Sequence, residues 1–200
     1  KFSLAYGPMW FINESLAIDK HKYVENLNTI ERELQRSKDD FIKEHYKKYD
    51  KTTFPPSWKL FELSSFGCLI KLYNNFNDVS VKKKLSRDYG VPQHEIMESW
   101  MISVNVIRNI CAHHGRMWNR IIPVMPQLPK TLKNKWIVEK PQLSNKLYSS
   151  LCCIAYWLNS INPNNSFTSD FKTLLRKYPN VDTNAMGFTK EWEIEPLFRT

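Results

Sequence analysis

The sequence predicts an all-α protein, and three observations carry that prediction. Apolar residues recur at steps of three and four through long stretches that hold neither glycine nor proline. Only 5 glycines occur in 200 residues, against an average usage of about 7%, which argues against a fold of many tight β-turns. No stretch alternates strictly between apolar and polar residues over more than a few positions, and no internal repeat is visible. The expected architecture is a helical bundle in a single domain spanning residues 1–200, with extra C-terminal helices and an irregular C-terminal tail.

The elements follow in order. Residues 1–22, with Gly7, Pro8 and the large side chains of Met9, Trp10 and Phe11, predict a packed lead-in to a helix. From about Tyr23 to Tyr49 the chain is rich in Glu, Lys, Arg and Gln, which predicts one long helix with a solvated face. Thr52 to Pro56 is a break, after which Ser57 is placed to cap a central helix running from Trp58 to Tyr73. A short basic helix with Lys82, Lys83, Lys84 and Arg87 facing solvent comes next, closed by Tyr89-Gly90-Val91-Pro92. Pro92 suits the first turn of the most regular helix of the chain, expected over about 93–121. Pro123, Pro126 and Pro129 end it and open a basic connection reaching about Pro141. Helices over roughly Leu143–Ile161 and Thr168–Tyr178 precede a last irregular stretch through Gly187, Trp192 and Pro196.

Composition narrows the function. Apolar residues make up 42% of the chain and aromatics 14%, a globular balance with enough material for a core that needs no metal or disulfide staple. The net charge of +9 suits a polyanionic partner, because clustered Lys and Arg neutralise phosphates and release counterions. The longest apolar run, Leu151 to Leu158, is too short for the roughly 20 residues that span a bilayer. Neither phosphate-binding glycine pattern, G-x-x-x-x-G-K nor G-x-G-x-x-G, is present. Cys68, Cys111, Cys152 and Cys153 follow no framework spacing and read as small core residues of a cytoplasmic protein. The chain opens at Lys1 with no initiator Met and no signal-peptide pattern, which leads us to expect a piece of a longer protein.

The chemistry concentrates on the 93–121 helix. On a wheel of about 100° per residue, Trp100, Val104, Ile107, Cys111 and Trp118 form the stripe that packs inward. Taking Asn109 as zero, Asn105, His113, Arg116 and Arg120 all fall within about 40° of it. The resulting line of amides, an imidazole and two guanidiniums suits RNA backbone cleavage without a metal. Imidazole exchanges a proton near neutrality, cations stabilise an anionic phosphorus, and an amide positions it. The nucleophile comes from the substrate, whose 2′-hydroxyl distinguishes RNA from DNA. Arg108 lies about 140° from His113 on an ideal helix. Three arrangements would accommodate it: a distortion near Gly115, an inward structural Arg108, or a second copy of the helix across a two-fold axis, the last being favoured.

The run Arg108-Asn109-Ile110-Cys111-Ala112-His113-His114-Gly115-Arg116-Met117-Trp118-Asn119-Arg120 resembles the signature of the bacterial Abi family, the AbiD/AbiF-like abortive-infection proteins. Pro55-Pro56-Ser57-Trp58, Glu62-Leu63-Ser64-Ser65-Phe66-Gly67 and Tyr73-Asn74-Asn75 are similar to its first block, and Met186-Gly187-Phe188 with Trp192 and Pro196-Leu197 to its closing segment, so the likeness covers about residues 55–198. That family is placed in the HEPN superfamily, whose Arg, polar residue and His correspond to Arg108, Asn109 and His113. The resemblance implies a HEPN-like helical fold, a homodimer joining two motifs, RNA cleavage without metal or other cofactor, and a role in phage defence or toxin–antitoxin growth arrest. Arg108, Asn109 and His113 would be catalytic, and Asn105, His114, Arg116, Asn119 and Arg120 would bind RNA. The alternative is a non-catalytic module that holds a cognate small RNA.

Blander readings stand beside these. His114, near the apolar stripe, reads as a buried, hydrogen-bonded histidine, and Trp118, Trp58, Trp136 and Trp157 read as packing. Glu62 and Ser65 would simply buttress the motif helix. Cys111, His113 and His114 cannot converge on one tetrahedral ion from a single helix, so no metal site is expected.

Overall fold

Helices form where the apolar periodicity places them, and they break where a Ser or Asp offers the backbone another partner or a Pro removes a backbone donor. A computed structural model describes residues 1–49 and 52–199. The elements are α1 (Phe2–Tyr6), α2 (Lys20–Arg36), α3 (Asp40–Lys48), α4 (Ser57–Leu63), α5 (Phe66–Asn75), α6 (Val79–Asp88), α7 (His94–Ala112), α8 (Leu147–Ile161) and α9 (Phe167–Lys177), with single 3-10 turns at Trp10–Ile12, Glu14–Leu16, Asn184–Met186 and Trp192–Ile194. The protein is all-α: among the described residues no strand forms, and the β-type pairing is an isolated bridge between Ala17 and Phe76. The chain divides into two compact units, residues 1–82 and 83–200.

The first unit packs Trp10, Phe11, Ile30, Leu34, Ile42, Leu60, Cys68, Leu72 and Phe76 into one core. The lead-in segment is part of it, with Phe2 stacked on Trp10 at 4.8 Å between ring centres and Trp10 edge-on to Phe76 at 5.3 Å. Asn75 ties the end of α5 to the start of α2, its amide oxygen accepting from the Asp19 N–H and its amide nitrogen donating to the Asp19 carbonyl, both at 2.9 Å.

Two expected helices are each two. The stretch expected as one helix from Tyr23 to Tyr49 breaks between α2 and α3, where the Ser37 hydroxyl donates to Asp39 Oδ2 at 2.6 Å and accepts from the Asp39 N–H at 3.2 Å. Such local bonds compete with the helical ladder. The helix expected from Trp58 to Tyr73 likewise splits at Ser64-Ser65, where Ser65 caps α5 by accepting from the Cys68 N–H and donates its own N–H and hydroxyl to the Glu33 carboxylate. Ser57 does not cap α4. Pro56 precedes that helix, and Ser57 is buried with its hydroxyl 2.6 Å from that of Ser3. Trp58 is 59% exposed and is not packing. Lys82 also departs from expectation: α6 turns it inward to 3% exposure, with Nζ donating to the Asn74 carbonyl at 3.2 Å and lying over the Tyr73 ring, whereas Lys83, Lys84 and Arg87 face solvent.

The second unit is built on α7 against α8, with the Ser103 and Ser150 hydroxyls 2.8 Å apart in the contact. Trp100, fully buried, stacks on Trp136 at 5.4 Å and meets Tyr156 and Trp157 edge-on. The proline-punctuated connection wraps this aromatic cluster, and indole donors pin it, Trp100 Nε1 to the Gln127 carbonyl at 2.7 Å and Trp136 Nε1 to the Pro129 carbonyl at 3.0 Å. Gly90 sits at φ 74° directly beneath Tyr156, where a Cβ would come 2.6 Å from Tyr156 Oη. The closing segment completes the unit through Glu195, a buried carboxylate that accepts from the backbone N–H groups of Val138 at 2.7 Å and Glu139 at 2.8 Å.

Candidate active site at the carboxyl end of α7

α7 buries Ile96, Met97, Trp100, Met101, Ser103 and Ile107, as its apolar periodicity dictates. It stops at Ala112, not near residue 121, because the chain closes there in a hydrogen-bonded cap. The Gly115 N–H donates to the Ile110 carbonyl at 2.7 Å and the His114 N–H to the Cys111 carbonyl at 3.0 Å. This pairing is the Schellman pattern, in which the residue after the cap takes the left-handed conformation. His114 occupies that position at φ 53°, where glycine or asparagine is usual. Gly115 is needed for a different reason: a Cβ there would lie 2.8 Å from Ile110 Cγ2 and 3.0 Å from the Ile110 carbonyl oxygen.

The early end of the helix revises several expectations. Cys111 is exposed and not a core residue, whereas Cys68, Cys152 and Cys153 are buried. Trp118, expected in the inward stripe, lies beyond the helix and is 41% exposed, its indole N–H donating to the Asp182 carbonyl at 3.3 Å. His114 is exposed instead of buried. Arg116 and Arg120 do not continue the wheel, since they lie on the loop that follows. Glu62 is exposed on α4, and the Ser65 hydroxyl bonds Glu33 and the Cys68 N–H.

A polar cluster nevertheless assembles. Asn105 and Asn109 share one face of α7 at a spacing of four residues, both half-buried, and His113 follows at the cap with its N–H on the Asn109 carbonyl at 3.0 Å. Arg108 is exposed, which removes the inward structural role considered for it. Its Nη1 donates to Asn109 Oδ1 at 3.1 Å. The loop then turns back at residues 117–120, closed by the Arg120 N–H on the Met117 carbonyl, and brings Arg120 Nη1 to 3.3 Å from the place a Gly115 Cβ would occupy. The arginine that the wheel aligned with His113 is thus returned to the helix end by the loop. Asn119 is held at φ 53°, its carbonyl and Oδ1 accepting from Lys146 Nζ at 3.2 and 2.8 Å. That lysine was not singled out from the sequence.

The electrostatics are one-sided. Among the described residues no carboxylate forms an ion pair with Arg108, Arg116 or Arg120, and all three are exposed together with His113. The carboxyl end of a helix carries partial negative charge and by itself repels an anion. Here the carbonyls of Asn109, Ile110 and Cys111 are each occupied by a backbone N–H, and the neighbouring guanidiniums set the sign of the surface. Such groups bind phosphate through charge-assisted hydrogen bonds. Gly115, four residues past Cys111 of the apolar stripe, was the signal that could have marked the helix end.

No curated protein and no solved structure matches the chain. A family model described as Abi-like protein matches residues 1–119. The matched span begins ahead of the first resembling block and includes Arg108, Asn109 and His113 through Asn119, whereas the closing segment from Met186 lies outside it. With more than half of its length inside that match and an all-α fold to carry it, the chain belongs to the Abi-like protein family.

Proposed function

We propose that the protein is a metal-independent endoribonuclease of an abortive-infection, phage-defence system. The observation that carries this reading is the carboxyl end of α7, where Arg108, Asn109 and His113 stand with Arg120 on an exposed surface free of paired carboxylates among the described residues. Family membership supports the defence role. No helix is long and apolar enough to cross a membrane among the described residues.

In the reaction the 2′-oxygen of a ribose forms a bond to the adjacent phosphorus and the bond from phosphorus to the 5′-oxygen breaks. His113 takes the 2′-hydroxyl proton or protonates the leaving 5′-oxygen. A second copy of the chain, related by a two-fold axis, supplies the other histidine, so the working form is a homodimer. Arg108 and Arg120 stabilise the charge on the phosphorane oxygens, and Asn109, fixed by Arg108, orients the phosphate through its amide nitrogen. The products are a 2′,3′-cyclic phosphate and a 5′-hydroxyl.

The test is incubation with single-stranded RNA in EDTA, comparing the natural chain with His113→Ala and mapping product ends chemically. Cyclic phosphates that disappear in the variant support the reading. Intact RNA bound equally by both proteins replaces it with a non-catalytic RNA-binding module.

A further inference from the structure

Trp118 stands apart from the other tryptophans of its unit. Trp100, Trp136 and Trp192 are 0%, 6% and 6% exposed and Trp157 is half-buried, but Trp118 leaves 41% of its surface open. Its one polar group is already satisfied by the Asp182 carbonyl, so hydrogen bonding gives the ring no reason to lie deeper. The loop that carries it is anchored on both sides, by Gly115 on the Ile110 carbonyl, by Lys146 on Asn119, and by the Ile122 N–H on the Asn145 carbonyl at 2.8 Å. An aromatic face is thereby held on a fixed loop between two exposed arginines, Arg116 and Arg120, of which the second lies against the Gly115 turn at the end of α7.

Guanidiniums that bind successive phosphates beside an aromatic face that stacks a base are the two components of single-strand recognition. A base paired inside a duplex cannot reach such a ring, whereas an unstacked base can. We propose that Trp118 stacks an unpaired base of the RNA next to the phosphate held at Arg108 and His113, and so restricts the site to single-stranded segments. This rests on the ribonuclease reading and deepens it. The exposed placement of the ring predicts no preference among the four bases, since each has a stackable face.

The competing role for an exposed tryptophan near Ile121 and Met125, which are 65% and 54% exposed, is contact with a second copy of the chain. The experiment separates the two. In the His113→Ala protein, which the ribonuclease reading expects to bind without cutting, fluorescence anisotropy measures the affinity for a labelled uridine oligomer, the same oligomer with abasic riboses, and a blunt RNA duplex. Trp118→Ala is expected to weaken binding of the uridine oligomer on the order of 10-fold and to leave the abasic oligomer and the duplex unchanged, while Trp118→Phe keeps most of the affinity. Equal losses on all three ligands, no loss on any, or a shift toward monomer in sedimentation with unchanged base dependence would overturn the proposal. Cleavage by the His113-containing protein is followed in parallel. Cyclic-phosphate products from both the natural chain and Trp118→Ala, with unaltered single-strand preference, reject the stacking role and leave the nuclease standing. No binding or cleavage of RNA by any form rejects both.

Discussion

The carboxyl end of α7 and the closing segment around Glu195 use polar side chains in opposite ways. Glu195 is buried, and each of its carboxylate oxygens accepts from a backbone N–H of the proline-punctuated connection. Arg108, His113, Arg116 and Arg120 are exposed, and among the described residues the one hydrogen bond their side chains make is Arg108 to the neighbouring Asn109. A buried charge persists in a folded chain when its bonds are complete, because an unpaired one is costly. Charges left unpaired at the surface contribute little to folding and are available to a ligand. Stability therefore belongs to one region, and the proposed binding of RNA to the other.

The largest expected effect falls on the exposed cluster. His113→Ala should lower the rate of cyclic-phosphate formation by roughly 10²–10⁴-fold with no measurable change in the urea midpoint. A variant that unfolds instead would make His113 a structural residue and erase the contrast. Glu195→Ala should do the reverse, destabilising the protein by about 3 kcal/mol, because two main-chain donors lose a charged acceptor. Urea denaturation followed by circular dichroism measures it, and a stable Glu195→Ala chain with weakened RNA affinity would break the comparison.

The two classes meet at the α7 cap. Gly115→Ala should cost about 1–3 kcal/mol, since the added Cβ meets the Ile110 carbonyl oxygen at 3.0 Å and that backbone atom cannot move aside cheaply. The same change displaces Arg120, so cleavage should fall further than stability does. His114→Gly sharpens the contrast from the other side. Relief of the left-handed strain at φ 53° should stabilise the fold by roughly 0.5–1 kcal/mol after the greater chain entropy of glycine is subtracted. RNA affinity should drop if the His114 ring contacts the phosphate, and thermal melting with an RNA-binding isotherm reads both.

The smallest effect is a pH dependence in the first unit. Burial, together with the nearby positive charge of Lys59, holds the pKa of His45 below its ordinary value. His45 lies in the core with its Nε2 3.2 Å from Thr52 Oγ1 and its Nδ1 buried without a hydrogen-bond partner among the described residues. The folded state therefore favours the neutral ring. Its contribution to stability is intact above about pH 6.5, the ordinary value, and is lost as the pH falls from there through the lowered folded value. His45→Gln should flatten the urea midpoint across that window, and an unchanged slope would show that other groups govern it.

How much of this was legible in the sequence varies with the distance over which the cause acts. The α7 stripe as far as Ile107, the order of helices and the proline-rich connection followed from periodicity and backbone breakers, which are local properties. The splits at Ser37–Asp39 and Ser64–Ser65 were also local, but they depended on whether a Ser hydroxyl found a backbone or carboxylate partner, and for Ser65 that partner is Glu33 on another helix. The inward turn of Lys82 onto the Asn74 carbonyl had no sequence signal, because lysine on a basic helix usually faces solvent.

At the site, the sequence alone determined the residue types that could do the chemistry, their concentration between Asn105 and Arg120, and the resemblance that the family match supports. Only the tertiary structure decided their geometry. It ended α7 at Ala112, turned His114 into a left-handed cap, exposed Cys111 and Trp118, and brought Arg120 back over Gly115. The physical reason is that a helical wheel assumes the backbone continues, and whether it continues past His113 depends on carbonyl partners and close approaches that form only when the loop is folded.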